Sequence, residues 1–357
     1  MPASLFALAV TAACASCEAR ADGAAYVPPP VEEALGGLDR FWAQCRVPLV
    51  IRLPSDSPVV GTIRSIDFDV RWGVAIADPI EKRVFQFDTL GRPTRVFGAP
   101  GSGPGEFRDP IDAVWVSEGQ LLVLDRYKGI VLFGASGTVI RDPHGPRFSG
   151  GTRLSRLDDA SVLLGVLDHT ASSVAPAFPH MARMVNIESG EQPLGFAPED
   201  RRATFRIRFV RDVSLAADPT GSFIAVVVPY ALGVQFYAPD GRLVDSWEGQ
   251  AAAYRRPVLP PARFAGQGSF YQWARSFSHL FFVGVPDSSA ALLGWETFVD
   301  DTRHYYLGLY SRESKRLVSV EEIPFRPVRS RGDTVVFLNS ADEPANTVIV
   351  CRGWARQ

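Results

Sequence analysis

The sequence predicts an all-β fold: a six-bladed β-propeller of four-stranded blades, closed by an N-terminal strand that completes the last blade. Three observations carry this reading. Two stretches repeat one another at a spacing in the forties. Their strand rhythm runs on through three further stretches. The last stretch is one strand short, and the front of the chain holds an unused strand.

The repeat is clearest between IDFDVRWGVAIADPIEKRVFQFDTLGRPTRVFG, from Ile66, and IDAVWVSEGQLLVLDRYKGIVLFGASGTVI, from Ile111. Each gives an apolar strand, a tight turn and a second strand ending in Asp (Asp78, Asp125). A polar loop follows, then a third strand ending near Phe87 or Phe133. A glycine turn (Gly91, Gly137) leads into the fourth strand. The two aspartates lie 47 residues apart. Four short strands per unit at such a period is the sequence pattern of a propeller.

GTRLSRLDDASVLLGVLD with ARMVNIESGEQPLGF makes a third unit. RDVSLAADPTGSFIAVVV with GVQFYAPDGRLVDSW makes a fourth, and SHLFFVGVPDSSAALLGWETFV with YYLGLYSRESKRLVSVEEI a fifth. VRSRGDTVVFLNS and NTVIVCRG supply three strands of a sixth, and VPLVIRL at 47–53 supplies the fourth. Pairing the first strand with the last removes the exposed edges that an open ring would leave.

The 357 residues are 46% hydrophobic and 21% charged, which permits a real core and argues against disorder. A net charge of −2 gives no electrostatic reason to expect nucleic acid. The 31 glycines and 28 prolines fit a chain with many turns.

Residues 1–20 read as an export segment. Leu5–Ala13 is an apolar run of signal-peptide length, far too short to span a bilayer. Small residues precede Cys14, and the run resembles a bacterial lipoprotein signal with Cys14 as the lipidated residue. An ordinary cleaved signal is the alternative, because no Lys or Arg precedes the run and Thr11 stands where Leu is usual. Residues 21–44 form a linker: the proline triplet at 28–30 is a stiff spacer. The spacing of Val31, Leu35, Leu38 and Phe41-Trp42 predicts a short helix, the only substantial one expected. Residues 45–357 are the propeller.

Ring closure bears on the cysteines. The third strand of the last blade ends at Cys351, and its partner begins just after Cys45. Antiparallel neighbours place the end of one strand beside the start of the next. A Cys45–Cys351 disulfide is therefore expected, and export permits it.

VFGAPGSGPGEFRDP (96–110) superficially resembles a phosphate-binding loop. A P-loop needs a Gly-Lys-Ser/Thr ending, and no lysine occurs between Lys82 and Lys128. A dinucleotide fingerprint needs a helix after the glycines, whereas PIDAVWV reads as a strand. The glycines are read as a passage between blades, with Phe107 wedged into the blade contact. The stretch GSGPGEFRDPIDAVWVSEGQLLVLDRYKGIVLFGASG resembles the NHL repeat of six-bladed propellers at Gly103, Gly105, Phe107, Pro110, Asp125, Phe133 and Gly137. The first unit is similar at Asp78, Phe87 and Gly91. The resemblance implies that Asp78 and Asp125 hydrogen-bond loop backbone rather than a ligand.

Related six-bladed propellers include lactonases and amidating lyases that hold metals on the ring axis. Five histidines (144, 169, 180, 279, 304) and three asparagines show no ligand spacing, and no Gly-x-Ser-x-Gly elbow occurs. No cofactor and no catalytic or metal-binding residue is assigned. A metal-dependent hydrolase or lyase with an axial site stands as the alternative function.

In a four-stranded blade, loops 1–2 and 3–4 lie on one face. Loops 2–3 and the blade-to-blade connections lie on the other. The first set is short throughout. The second holds the long segments at 168–180, 196–209, 248–276 and 297–304. Function gathers on loops carried by a rigid scaffold, so the long-loop face is the expected binding face. Candidate ligand-binding residues there are Arg206, Arg208, Arg211, His169, Tyr271, Trp273, Arg275 and His304, a cationic and aromatic set suited to acidic groups and sugar rings. A solvated FRIRF strand is the plain alternative for 205–209, and Asp300-Asp301 reads as a solvated pair. The expected protein is an exported monomer in the periplasm, on the outer membrane or outside the cell. Its partner is a protein, a glycan or an anionic small molecule. It meets a membrane only through a lipid anchor.

Overall fold

The computed structural model describes residues 45, 47–54, 60–142, 151–166, 180–191, 194–198, 213–227, 231–256, 265–339 and 347–353. They form six four-stranded antiparallel sheets. Blades 1 to 5 each take four consecutive strands. Blade 1 runs Ser65–Asp69, Gly73–Asp78, Arg83–Phe87 and Pro93–Phe97, and blade 2 runs Pro110–Trp115, Leu121–Asp125, Gly129–Phe133 and Val139–Arg141. The inner strands of blades 3, 4 and 5 are Gly151–Arg156, Leu215–Ala217 and His279–Asp287. Blade 6 takes Arg326–Arg331, Thr334–Leu338 and Thr347–Arg352 from the end of the chain, and Val47–Arg52 from its start. The closing pair runs from Val47 opposite Arg352 to Arg52 opposite Thr347. Beside it, Cys45 and Cys351 are disulfide-bonded, with their Cα atoms 5.2 Å apart.

The residue pattern follows from position in the ring. Each sheet is covered on both faces by its neighbours, so middle strands read as unbroken apolar runs instead of alternating. Gly73–Asp78 and Leu121–Asp125 are buried at every position. Outer strands such as Leu243–Glu248 are largely exposed. The core is accordingly divided into six clusters, one at each blade contact. Between blades 1 and 2, fully buried Phe107 packs 5.8 Å from Phe133, which lies 5.5 Å from Phe97.

The helix expected at 31–42 lies outside the described residues. The one described α-helix is α1, Gln267–Arg275, in the connection from blade 4 to blade 5. The prolines and glycines at 257–268 disguise it as loop. Past Gly268 the segment holds good spacing for a helix, with Trp273 buried and Phe277 meeting it edge-on at 5.0 Å. The 297–304 region is likewise no insertion. Strands Ala290–Val299 and Thr302–Ser311 run to its tip and meet at a two-residue turn. Its central residues, Asp300 and Asp301, have φ of 48° and 63°, as a type I′ hairpin requires.

Candidate functional site

Asp78 and Asp125 are wholly buried and do the same work in successive blades. Asp78 accepts from the backbone N–H groups of Gly61 (2.6 Å), Thr62 (3.2 Å), Ile80 (2.8 Å) and Glu81 (3.1 Å). Asp125 accepts from Arg108, Asp109 and Tyr127 at 2.8 Å and from Lys128 at 2.9 Å. Each carboxylate thus ties the incoming blade connection to the loop between strands 2 and 3. With four donors already satisfied, neither is a ligand-binding group.

The glycine-rich loop is also filled from within. Glu106 accepts from Gly103 N–H at 2.7 Å, and Gly105 N–H donates to Asp142 at 2.6 Å. Lys128 is buried against Asp142 and donates to the carbonyls of Gly103 and Glu106. Gly98 has φ of 75°, and a Cβ there would stand 2.3 Å from the Phe107 ring. Donors that would cradle a phosphate are spent holding the loop shut.

On the long-loop face, α1 packs beside the Asp300-Asp301 turn and frames a cavity of about 450 Å³. Phe298 organises it. Arg275 and Arg303 lie over its ring at 5.5 and 5.3 Å, and Arg255 donates to its carbonyl at 2.9 Å. Arg275 also pairs with Asp301 at 2.8 Å. Tyr271, 48% exposed, lines the same cavity with Gln272 and Ser276. Tyr271 and Arg275 therefore come together as neighbours. Trp273 does not join them: it is turned into the core, anchoring α1, and presents no ring for stacking. His304 stands apart on its strand and meets Glu322 through Nδ1 at 2.7 Å. His169, Arg206, Arg208, Arg211 and Cys14 lie outside the described residues.

Sequence reasoning missed the ring axis. Arg329, on the inner strand of blade 6, is 6% exposed and reaches across to three other blades. It donates to the carbonyls of Ile66 (3.1 Å), Ala113 (3.3 Å) and Leu154, and it pairs with Asp112 and with Asp67 (3.6 Å). Asp67 and Asp112 in turn accept from Trp115 N–H (2.7 Å) and Leu154 N–H (2.6 Å), one blade onward. Inner strands have one unpaired edge facing the axis, and buried backbone groups need partners. These side chains supply them. Burial raises the Asp67 carboxyl above the ordinary aspartate range despite the nearby Arg329 charge. Burial works against the Arg329 charge too, yet Asp112 and Asp67 outweigh it and raise its affinity for the proton. The sequence carries a trace of this network in Asp67 and Asp112, charged residues inside the largely apolar strands SIDFD and PIDAVW, whereas Arg329 is one of three arginines in RPVRSR and does not stand out.

Below this plug a second cavity, of about 400 Å³, opens on the short-loop face, opposite to the expected binding face. Among the described residues no group of three His, Cys, Asp or Glu side chains is placed to hold a metal ion, and no helix is long and apolar enough to cross a membrane.

No family model and no curated protein matches the sequence. Solved structures are similar in fold. A member of the DUF4221 family from Bacteroides vulgatus superposes with a TM-score of 0.60 at 10% identity, over 86% of this chain and 96% of that one. A protein described as exported, from Bacteroides fragilis, gives 0.55 at 13% identity, over 85% and 94%. A streptogramin B lyase gives 0.50 at 9% identity, over 85% and 97%. At these identities the likeness shows the fold alone.

Proposed function

We propose that the chain is an exported, monomeric binding propeller of the NHL-like kind, and that it recognises its partner through the long-loop face around α1. The observation that carries this reading is the cavity where Tyr271, Gln272 and Arg275 meet the Asp300-Asp301 turn. Its parts are those of a recognition surface: an exposed aromatic face, an amide and a guanidinium held over Phe298. Such a set fits acidic and sugar groups, borne by a glycan, a protein or a small anion. The N-terminal apolar run and Cys14 support export with or without lipidation, as does the fold shared with an exported protein.

The alternative is a metal-dependent hydrolase or lyase with an axial site. The fold shared with a streptogramin B lyase is what favours it. Titration of the purified protein with an array of acidic and neutral oligosaccharides separates the two. Binding readings require saturable, reversible retention of acidic chains without turnover. Release of a cleaved product, dependent on added metal, would favour the enzyme.

A further inference from the structure

The short-loop cavity has a floor and two walls. Its floor is the Arg329 plug. Arg329 reaches Leu154, and Arg153 donates to the Val328 carbonyl, so the inner strands of blades 3 and 6 are bridged across the axis. Blades 3 and 6 stand opposite one another in a ring of six. The last residue of each inner strand is an arginine, Arg156 in blade 3 and Arg331 in blade 6, and both line the cavity. Arginines from the inner strands of two opposite blades thus line one cavity beside the plug.

Neither is fully used. Arg156 is 16% exposed, with one terminal nitrogen on Asp159 and Nε directed at the Asp158 carbonyl at 3.4 Å. A guanidinium carries five N–H donors, more than these contacts use. Arg331 spends one nitrogen on Asp69 at 3.1 Å and is otherwise open at 38% exposure.

The acidic lining narrows the ligand class. Asp67 is committed to Arg329 and Trp115, and Asp218 to Phe223 N–H at 2.8 Å and to Thr220. Asp158 uses one oxygen on Ala160 N–H at 2.8 Å, and Asp159 is 79% exposed. Arg156 and Arg331 are each already paired with a carboxylate, so a dianionic phosphate would bring an unbalanced second charge among these groups. A single carboxylate bearing hydroxyl or ammonium donors matches both signs, and the volume suits a small molecule.

We infer that the axial cavity on the short-loop face binds a small organic acid, its carboxylate held between Arg156 and Arg331 and its hydroxyl or amino donors turned to Asp158. This site is separate from the long-loop surface. Calorimetric titration of the full chain with D-glucuronate, L-lactate and L-serine tests it, with D-glucose and inorganic phosphate as comparison probes. At least one of the three acids is expected to bind saturably, and glucose and phosphate at least tenfold more weakly. Arg156→Gln and Arg331→Gln should each weaken that acid at least tenfold, and Arg331→Lys to an intermediate degree. Arg242→Gln, an exposed arginine on the same face outside the cavity, should leave binding unchanged. Melting temperatures within a few degrees of wild type establish that each variant is folded, and Arg331→Lys keeps the charge opposite Asp69 if Arg331→Gln is not. Absence of binding by all three acids, equal binding of phosphate, or undiminished binding by folded arginine variants would overturn the assignment.

Discussion

Replacing Arg329 with Met probes the plug that closes the ring axis. Met has similar length and no charge, so the substitution strands Asp67 and Asp112, which are 2% and 1% exposed. Removing one partner of a buried ion pair costs about 3–5 kcal/mol, because the other charge stays desolvated. At a urea m-value of about 3 kcal/mol/M this lowers the unfolding midpoint by roughly 1–1.7 M. The pH dependence carries the sharper test. Burial already raises the Asp67 carboxyl in the native protein, and loss of the guanidinium raises it further. A carboxyl whose folded pKa exceeds its unfolded value favours the native state when protonated. Its contribution is fully present below the unfolded pKa and is lost as pH rises through the folded value. The gap between wild type and Arg329→Met should therefore shrink as pH falls from about 8 to about 4. Adding Asp67→Asn and Asp112→Asn should recover part of the loss at pH 8. Urea unfolding followed by tryptophan fluorescence at several pH values measures all of this. A loss under about 1 kcal/mol, or a gap that widens on acidification, would show that Arg329 does not neutralise buried charge at the axis.

Three further outcomes are expected. Cys45→Ala with Cys351→Ala opens a loop spanning 306 residues; the chain-entropy relation gives about 6 kcal/mol as an upper figure and native disulfides about 2–5, read as a lowered melting temperature equal in reduced wild type. Non-reducing peptide mapping should find the Cys45–Cys351 cross-link, and two free thiols in exported protein would remove it. Asp125→Ala leaves four backbone donors without their acceptor, with a cost of at least about 3 kcal/mol by urea unfolding, while Asp125→Asn, which keeps an acceptor, costs less. Gly98→Ala drives a methyl into Phe107 at a positive φ and should destabilise by about 2 kcal/mol or more, where Ala at exposed Gly268 should cost little.

The ring was legible because propeller blades write their position into the sequence. Middle strands buried on both faces read as unbroken apolar runs, and Asp78 and Asp125 mark the same turn 47 residues apart. The strand deficit in the last unit then pointed to 47–53. Helix α1 was hidden because its cap, Gly266 with Ser269, follows a proline-rich run, and its apolar face has few residues. The site was legible only in type. Tyr271 and Arg275 were named from composition, but nothing local shows that Trp273 turns inward while Tyr271 stays out. The axial aspartates stood out in their strands, but their pairing with Arg329 was not legible, for a different reason. Arg329 meets Asp67 and Asp112 across more than two hundred residues of sequence, and only ring closure brings blade 6 to blades 1 and 2.

The central claim is that the long-loop face around α1 binds an acidic or sugar-bearing partner. Its most direct test is equilibrium binding of acidic oligosaccharides to wild type and to Tyr271→Ala with Arg275→Gln, both checked for unchanged melting temperature. Wild type should bind saturably, and the double variant at least tenfold more weakly. No binding by wild type, or equal binding by the folded double variant, would contradict it.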